Sequence, residues 1–311
     1  MKTCGAVLAG AALGVATSFV TPSSAHDAAL RQEQPASAVV VPPPVTGFPI
    51  GWCIRARPEV FNDAKRAGFE YVELALQDVL GLSNAEFETL RAELESTGLR
   101  ALSGYNPIPA DLKIVGPDLN RVKEETHLKT LLSRASALKL TNIIFNSGGS
   151  WRVPDGVVVD DAFAQLTAFA RRFAEAAARD HITVLVEPLR STDSNLITTV
   201  ADALRLVESV NQPNFAMMVD YSFLTIQGEA PSVLVAAGSR LKHVHLANPA
   251  NKRTYPMDER ESDYAAFFAV LKRIGYRGGM SVHATTSAFA TDAPRAIAFL
   301  RRAALDLRGP G

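Results

Sequence analysis

The chain has 311 residues, 47% of them hydrophobic and 21% charged, with 32 Lys and Arg against 32 Asp and Glu. That is a globular composition, and it excludes disordered and collagen-like chains. Zero formal net charge leaves no electrostatic footprint for nucleic acid or an anionic membrane, and two cysteines exclude a disulfide scaffold and a Cys-based zinc cluster.

Lys2 is followed by an uncharged run from Cys4 to Val20, rich in Ala, Gly, Val and Leu. Thr21-Pro22-Ser23-Ser24-Ala25 then ends in small residues. This layout predicts a secretory signal peptide over residues 1–25, cleaved after Ala25. A membrane anchor is the other reading, but the run falls short of the roughly 20 apolar residues that a spanning helix needs. No Arg-Arg pair is present, which points to the general export route. The expectation is a periplasmic or secreted protein without stable membrane insertion after cleavage. Cleavage leaves Cys53 without an internal partner, and its apolar setting in Ile50-Gly51-Trp52-Cys53-Ile54 reads as a buried structural thiol. Residues 26–46 carry four prolines and neither a helical nor a strand period, so they read as a flexible lead-in.

A single domain is expected over residues 47–311. Short apolar runs recur at Ile50–Ile54, Tyr71–Leu76, Leu99–Ser103, Asn142–Phe145, Thr183–Val186, Phe215–Val219, Leu241–Leu246 and Met280–Val282. Amphipathic stretches lie between them. Leu128, Leu131, Leu132, Ala135 and Leu138 keep helical spacing, as do Phe163, Leu166, Ala170 and Phe173, and Tyr264, Phe267, Phe268 and Leu271. Gly68, Gly98 and Gly275 stand where helices would end before the next strand. Strands alternating with helices imply a parallel sheet, and eight units in this length predict a (β/α)₈ TIM barrel. An open doubly wound sheet is the runner-up, but no strand is followed by a G-x-G-x-x-G loop.

In such a barrel, chemistry sits at the carboxyl ends of the strands. The fifth expected strand ends in Glu187-Pro188, the sixth in Asp220, and the eighth in His283, while the seventh carries His243-Val244-His245. Carboxylate and imidazole donors suit Mn, Zn, Fe or Co. Each residue also has a plainer role. Asp220 could cap a helix, and of the two histidines sharing a strand face one could reach the mouth while the other packs below. Further candidates are Arg152, in the glycine-rich loop Asn146–Gly156, and Glu73, a carboxylate amid apolar neighbours. Lys252 and Arg253 follow the seventh strand, where they could fix a substrate oxygen or simply be solvated.

The order and spacing of these segments resemble the sugar phosphate isomerase/epimerase family, the xylose isomerase-like barrels, over about residues 48 to 306. The resemblance rests on Gly68–Leu74, Leu112–Asp118, the Gly148–Gly156 loop, Glu187-Pro188-Leu189, Val219-Asp220-Tyr221, His243-Val244-His245 and Ile274–Val282. It implies one divalent metal ion (Mn, Mg, Zn or Co) on Glu187, Asp220, His245 and His283. It also implies Glu187 and His283 as catalytic groups, beside Arg152, Glu73, His243 and Arg253 as substrate-binding candidates, and allows a homo-oligomer. Two departures stand out: the family's second glutamate is His283 here, and a histidine found in many members is Phe223.

The implied activity is isomerisation or epimerisation of a small carbohydrate by proton abstraction next to a carbonyl. Export favours a non-phosphorylated sugar, keto-sugar or glycoside. His283 lacks the geometry and basicity of a carboxylate, which weakens a two-glutamate epimerase and leaves one-base isomerisation or β-elimination by a sugar lyase or dehydratase open. A degenerate barrel that binds carbohydrate without turnover is the alternative outside catalysis. A metal-dependent nuclease would need more His and Glu ligands than these.

Overall fold

The computed structural model describes residues 48–250 and 252–305. The expected signal peptide and lead-in, residues 1–46, lie outside the described residues. The elements run β1 (Ile50–Ile54), α1 (Glu59–Ala67), β2 (Tyr71–Ala75), α2 (Leu76–Gly81), α3 (Asn84–Ser96), β3 (Arg100–Tyr105), α4 (Arg121–Ala137), β4 (Asn142–Phe145) and α5 (Val159–Ala178). They continue with β5 (Thr183–Val186), α6 (Val200–Val210), β6 (Phe215–Asp220), α7 (Tyr221–Ile226), β7 (Leu241–Leu246), α8 (Tyr264–Arg273), β8 (Gly279–Val282) and α9 (Phe289–Leu305). Each strand pairs in parallel with the next, and β8 pairs with β1 to close an eight-stranded barrel. The TIM barrel expected from the alternation is the observed fold.

Local chemistry sets the helix ends. Ser83 and Glu86 form a reciprocal capping box at the start of α3, and Thr199 and Asp202 do the same for α6. Gly68 ends α1 in the left-handed region, at φ 96°, where an L side chain would be strained. Gly98 and Gly275 also have positive φ. No helix among the described residues is long and apolar enough to cross a membrane.

Two apolar layers follow from strand alternation. Outward-facing residues such as Val72, Leu74, Ile143, Val184 and Val186 pack against helix faces carrying Phe61, Leu131, Leu166 and Phe173. Burying each such side chain contributes about 1.5–3 kcal/mol. Inward-facing Cys53, Ala75, Tyr105, Ile144, Leu185, Ala216 and Met218 form a separate cluster in the lumen. All of these lie on β1 to β6. The inward positions of β7 and β8 are His243, His245 and Ser281, so the lumen is apolar on one side and polar on the other.

Four strands match the expected bounds, and β3 differs most, running two residues further, to Tyr105. Gly104, just past the expected end, lies within the strand, paired with Leu74 and Ile143. Its missing side chain leaves room for Leu76, whose methyl carbon would lie 2.6 Å from a Cβ there. Gly51 has a related role inside the lumen, since a Cβ at that position would lie 2.1 Å from the Tyr71 ring. Tyr71 is fully buried and bonds Ser281 through its hydroxyl, so the ring has nowhere to retreat. Gly51→Ala is therefore expected to destabilise the barrel by about 1–3 kcal/mol through overpacking. Denaturant unfolding checks this; an unchanged midpoint would show that the ring moves freely.

Candidate active site

Four strand ends converge at the carboxyl end of the barrel. Glu187 follows β5, Asp220 ends β6, His243 and His245 lie on β7, and His283 follows β8. Register sets Asp220 beside His245, and His245 beside Ser281. Glu187, Asp220, His243 and His245 have no exposed surface, whereas the His283 side chain is 28% exposed.

Asp220 takes the helix-cap role open to it in the sequence and also reaches into the cluster. Its Oδ1 caps α7, accepting from the Ser222 and Phe223 backbone N–H groups at 2.8 and 3.2 Å and from the Ser222 hydroxyl at 2.9 Å. Its Oδ2 turns inward, 2.8 Å from Arg253 Nη2, 3.7 Å from His283 Nδ1 and 4.0 Å from His245 Nδ1. Burial would raise the Asp220 pKa, but Arg253 and His283 outweigh it and hold the carboxyl well below the usual range. Arg253 also donates to the Ser222 hydroxyl and the His283 carbonyl, and lies over the Phe223 ring at 4.4 Å. Arg190 lies over the same ring at 4.9 Å. Phe223, the second departure noted in the sequence, thus lies between two guanidinium groups.

His245 is central. Its Nδ1 lies 3.6 Å from Glu187 Oε1 and 3.2 Å from His283 Nδ1. Its Nε2 lies 3.1 Å from Glu73 Oε2 and 3.5 Å from Cys53 Sγ. Burial would lower the His245 pKa, but its contacts with Cys53 and Glu73 reverse that and hold it well above the ordinary imidazole value. Burial lowers His283, which the pull of Asp220 does not overcome. Burial pushes the Cys53 thiol up to about 12, so it stays protonated, in keeping with a structural cysteine.

Glu187 is the anomaly. Both of its oxygens are buried, and neither has a hydrogen-bond partner among the described residues. An uncompensated buried carboxylate costs several kcal/mol. Glu187, Asp220 and His245 each offer a ligand atom within 4.8 Å of the others. Two carboxylate oxygens and an imidazole nitrogen that converge in this way are a donor set for a divalent cation, so these residues fit one.

The remaining sequence candidates fall in different places. Arg253 belongs to the cluster. Glu73 and His243 are both buried beneath the mouth, joined at 2.5 Å, so they form the floor under His245 rather than a surface open to substrate. Arg152 is exposed and donates to the Thr192 carbonyl at 2.8 Å, clamping the loop after β4 to the loop after β5. Trp151 and Val153 bond the same neighbouring loop through Ser194 and Asn195. Sequence reasoning did not single out Tyr71, Ser281 or Tyr105. Alternation carried the signal for the first two: Tyr71 shares a face with Glu73, and Ser281 with His283. Tyr105 packs its ring 5.3 Å from that of His283.

The chain is similar to several sugar epimerases. The L-ribulose 3-epimerase of Methylomonas sp. is 28% identical over 243 residues, covering 76% of this chain and 81% of its own length. The ketose 3-epimerase of Arthrobacter globiformis is 25% identical over 218 residues, covering 69% and 72%. The crystal structure of a D-allulose 3-epimerase from Methylomonas sp. with D-allulose superposes with a TM-score of 0.71 at 22% identity, over 82% of this chain and 97% of that one. The 3-keto-D-glucoside 4-epimerase of E. coli gives 0.68 at 20% identity, over 82% and 99%. The likeness to these two solved structures shows the shared fold. The sequence profile of the xylose isomerase-like TIM barrel matches residues 61–303, nearly the whole of the described barrel. The chain belongs to the xylose isomerase-like TIM-barrel family, that of the sugar isomerases and epimerases.

Proposed function

We propose that this protein is a sugar epimerase or isomerase that moves a proton at a carbon next to a carbonyl. Its substrate would be a non-phosphorylated sugar, keto-sugar or glycoside. One divalent cation (Mn, Mg, Zn or Co) would be held by Glu187, Asp220 and His245, with His283 beside them. The observation that carries this reading is the Glu187 carboxylate, buried with neither oxygen hydrogen-bonded. The names of the relatives support the substrate class, since they act on ribulose, other ketoses and psicose.

A divalent cation in this site would supply Lewis-acid polarisation of a substrate carbonyl and its neighbouring hydroxyl. Glu187 is the base, because no hydrogen bond occupies its lone pairs and a proton can be taken from the substrate carbon. His283 is the second proton carrier, the one imidazole of the cluster with exposed surface. Arg253 neutralises Asp220 and presents a partly exposed guanidinium that can hold a substrate oxygen. The buried floor of Glu73, His243 and Ser281 keeps water from reaching the site from below.

A carbohydrate-binding barrel without turnover is the second reading, favoured by the exchange of the family's glutamate for His283. Glu187→Gln separates the two. As an enzyme, the wild type should carry stoichiometric divalent metal and incorporate solvent deuterium into a keto-sugar substrate. Glu187→Gln should slow that exchange by about 10²-fold or more. Because the variant removes a buried charge without hydrogen bonds, its unfolding midpoint in metal-free protein should hold or rise. Mass spectrometry and thermal unfolding provide the readouts; undiminished exchange would remove Glu187 from the chemistry.

His283→Glu tests the fourth position. A restored carboxylate adds negative charge and a hard donor, so divalent-metal affinity should increase and epimerase side activity should rise relative to the natural reaction. Unchanged metal affinity, rate and product stereochemistry would place His283 outside the mechanism.

We further propose that the protein acts outside the cytoplasm, on the strength of the Lys2-to-Ala25 pattern. Mature protein recovered from periplasm or medium should begin at about His26 on N-terminal sequencing. Intact Met1 in a membrane fraction would favour the anchor instead.

A further inference from the structure

Glu73 is the buried carboxylate that the chemistry above leaves without a role in proton transfer. It stands on β2, yet all its side-chain partners come from β7 and β8. Its Oε2 lies 3.1 Å from His245 Nε2, and its Oε1 lies 2.5 Å from His243 Nε2 and accepts the Ser281 hydroxyl. Two imidazole nitrogens and a hydroxyl converge on its two oxygens, the arrangement of an ionised carboxylate that accepts from each of them.

An ionised carboxylate has lone pairs and no proton, so every group bonded to it must donate. Ser281 gives Glu73 its hydroxyl proton and in turn accepts from the Tyr71 hydroxyl at 2.7 Å. His243 and His245 must each carry a proton on Nε2. For His245 this settles which ring nitrogen faces which way, because Nδ1 is the atom turned toward Glu187, Asp220 and His283.

We propose that Glu73 is a positioning residue: it keeps the His245 proton on Nε2, so that Nδ1 is the nitrogen presented to the cation. The inference rests on the reading of Glu187, Asp220 and His245 as a cation site. A ligand histidine whose other nitrogen donates to a carboxylate is fixed in orientation and made more basic. The same carboxylate turns His243 to the floor, where its Nδ1 is buried without a partner among the described residues. One acid thereby divides the two histidines of a single strand face between ligand and support.

Ring-nitrogen NMR of the full chain, labelled with ¹⁵N-histidine, tests this near neutral pH, with and without added Zn²⁺. The His245 signals are assigned by their loss in His245→Gln. The expected spectrum shows a proton on Nε2 in both samples, with Zn²⁺ shifting the Nδ1 resonance. A bare Nε2 with the proton on Nδ1 overturns the proposal. In Glu73→Gln, Zn²⁺ affinity measured by calorimetry should fall about tenfold to hundredfold. Unchanged affinity in a folded variant would overturn the proposal as well. If Glu73→Gln does not fold, the wild-type spectrum decides alone. If wild type binds no divalent ion, the cation reading fails, and the metal-free spectrum still decides where Glu73 keeps the proton.

Discussion

A carboxylate sealed inside a barrel is costly unless its oxygens are answered, because an unpaired charge at low dielectric has little to offset its lost water. Glu73 meets that condition with His243, His245 and Ser281. Those partners take up the inward positions of β7 and β8, and they make one side of the lumen polar. The other side, from Cys53 through Met218, is filled with apolar side chains as in an ordinary barrel core. The candidate site lies directly above the polar side, and its central histidine is shared with the floor. Mouth and floor are therefore one hydrogen-bonded system.

Above that floor, charge is balanced unevenly. Asp220 is answered by Arg253, by the cap of α7 and by His283, while neither oxygen of Glu187 has a hydrogen-bond partner among the described residues and His245 Nδ1 stands 3.6 Å away. The two carboxylates sit in one cluster but in opposite states of hydrogen bonding. Phe223 and His283 belong to the same arrangement. An aromatic ring between Arg190 and Arg253 steadies the cation that Asp220 needs, and a neutral imidazole reduces the negative charge that the site must hold.

Much of this architecture was legible in the chain. Ile50–Ile54, Asn142–Phe145, Thr183–Val186 and Leu241–Leu246 are short apolar runs bounded by polar or turn-forming residues, and each became a strand with those limits. Glu187, Asp220, His245 and His283 could be picked out because barrel chemistry gathers where strands end. The β3 boundary was missed because a glycine after Ser103 offers no strand signal of its own, while its actual use is to admit Leu76 from the earlier α2. The partners of Glu73 were not legible for a related reason. Its partner His245 is 172 residues away, and no local periodicity encodes a contact of that range. Arg152, a charged residue in a glycine-rich loop, has a structural contact that its sequence does not signal, a hydrogen bond to the Thr192 carbonyl of the next loop.

The same long-range bonds bear on how the chain reaches this shape. Glu73 enters the sequence early, and Ser281, which answers one of its oxygens, comes 208 residues later. Contacts of such separation carry a large loop-closure entropy and form slowly compared with neighbouring strand–helix units. Until β7 and β8 arrive, the Glu73 carboxylate keeps its water, and a partial barrel of the earlier strands has no means of sealing it. The buried acid thus acts as a latch on the order of assembly: the last strands to be synthesised are the ones that allow the first half of the lumen to become dry.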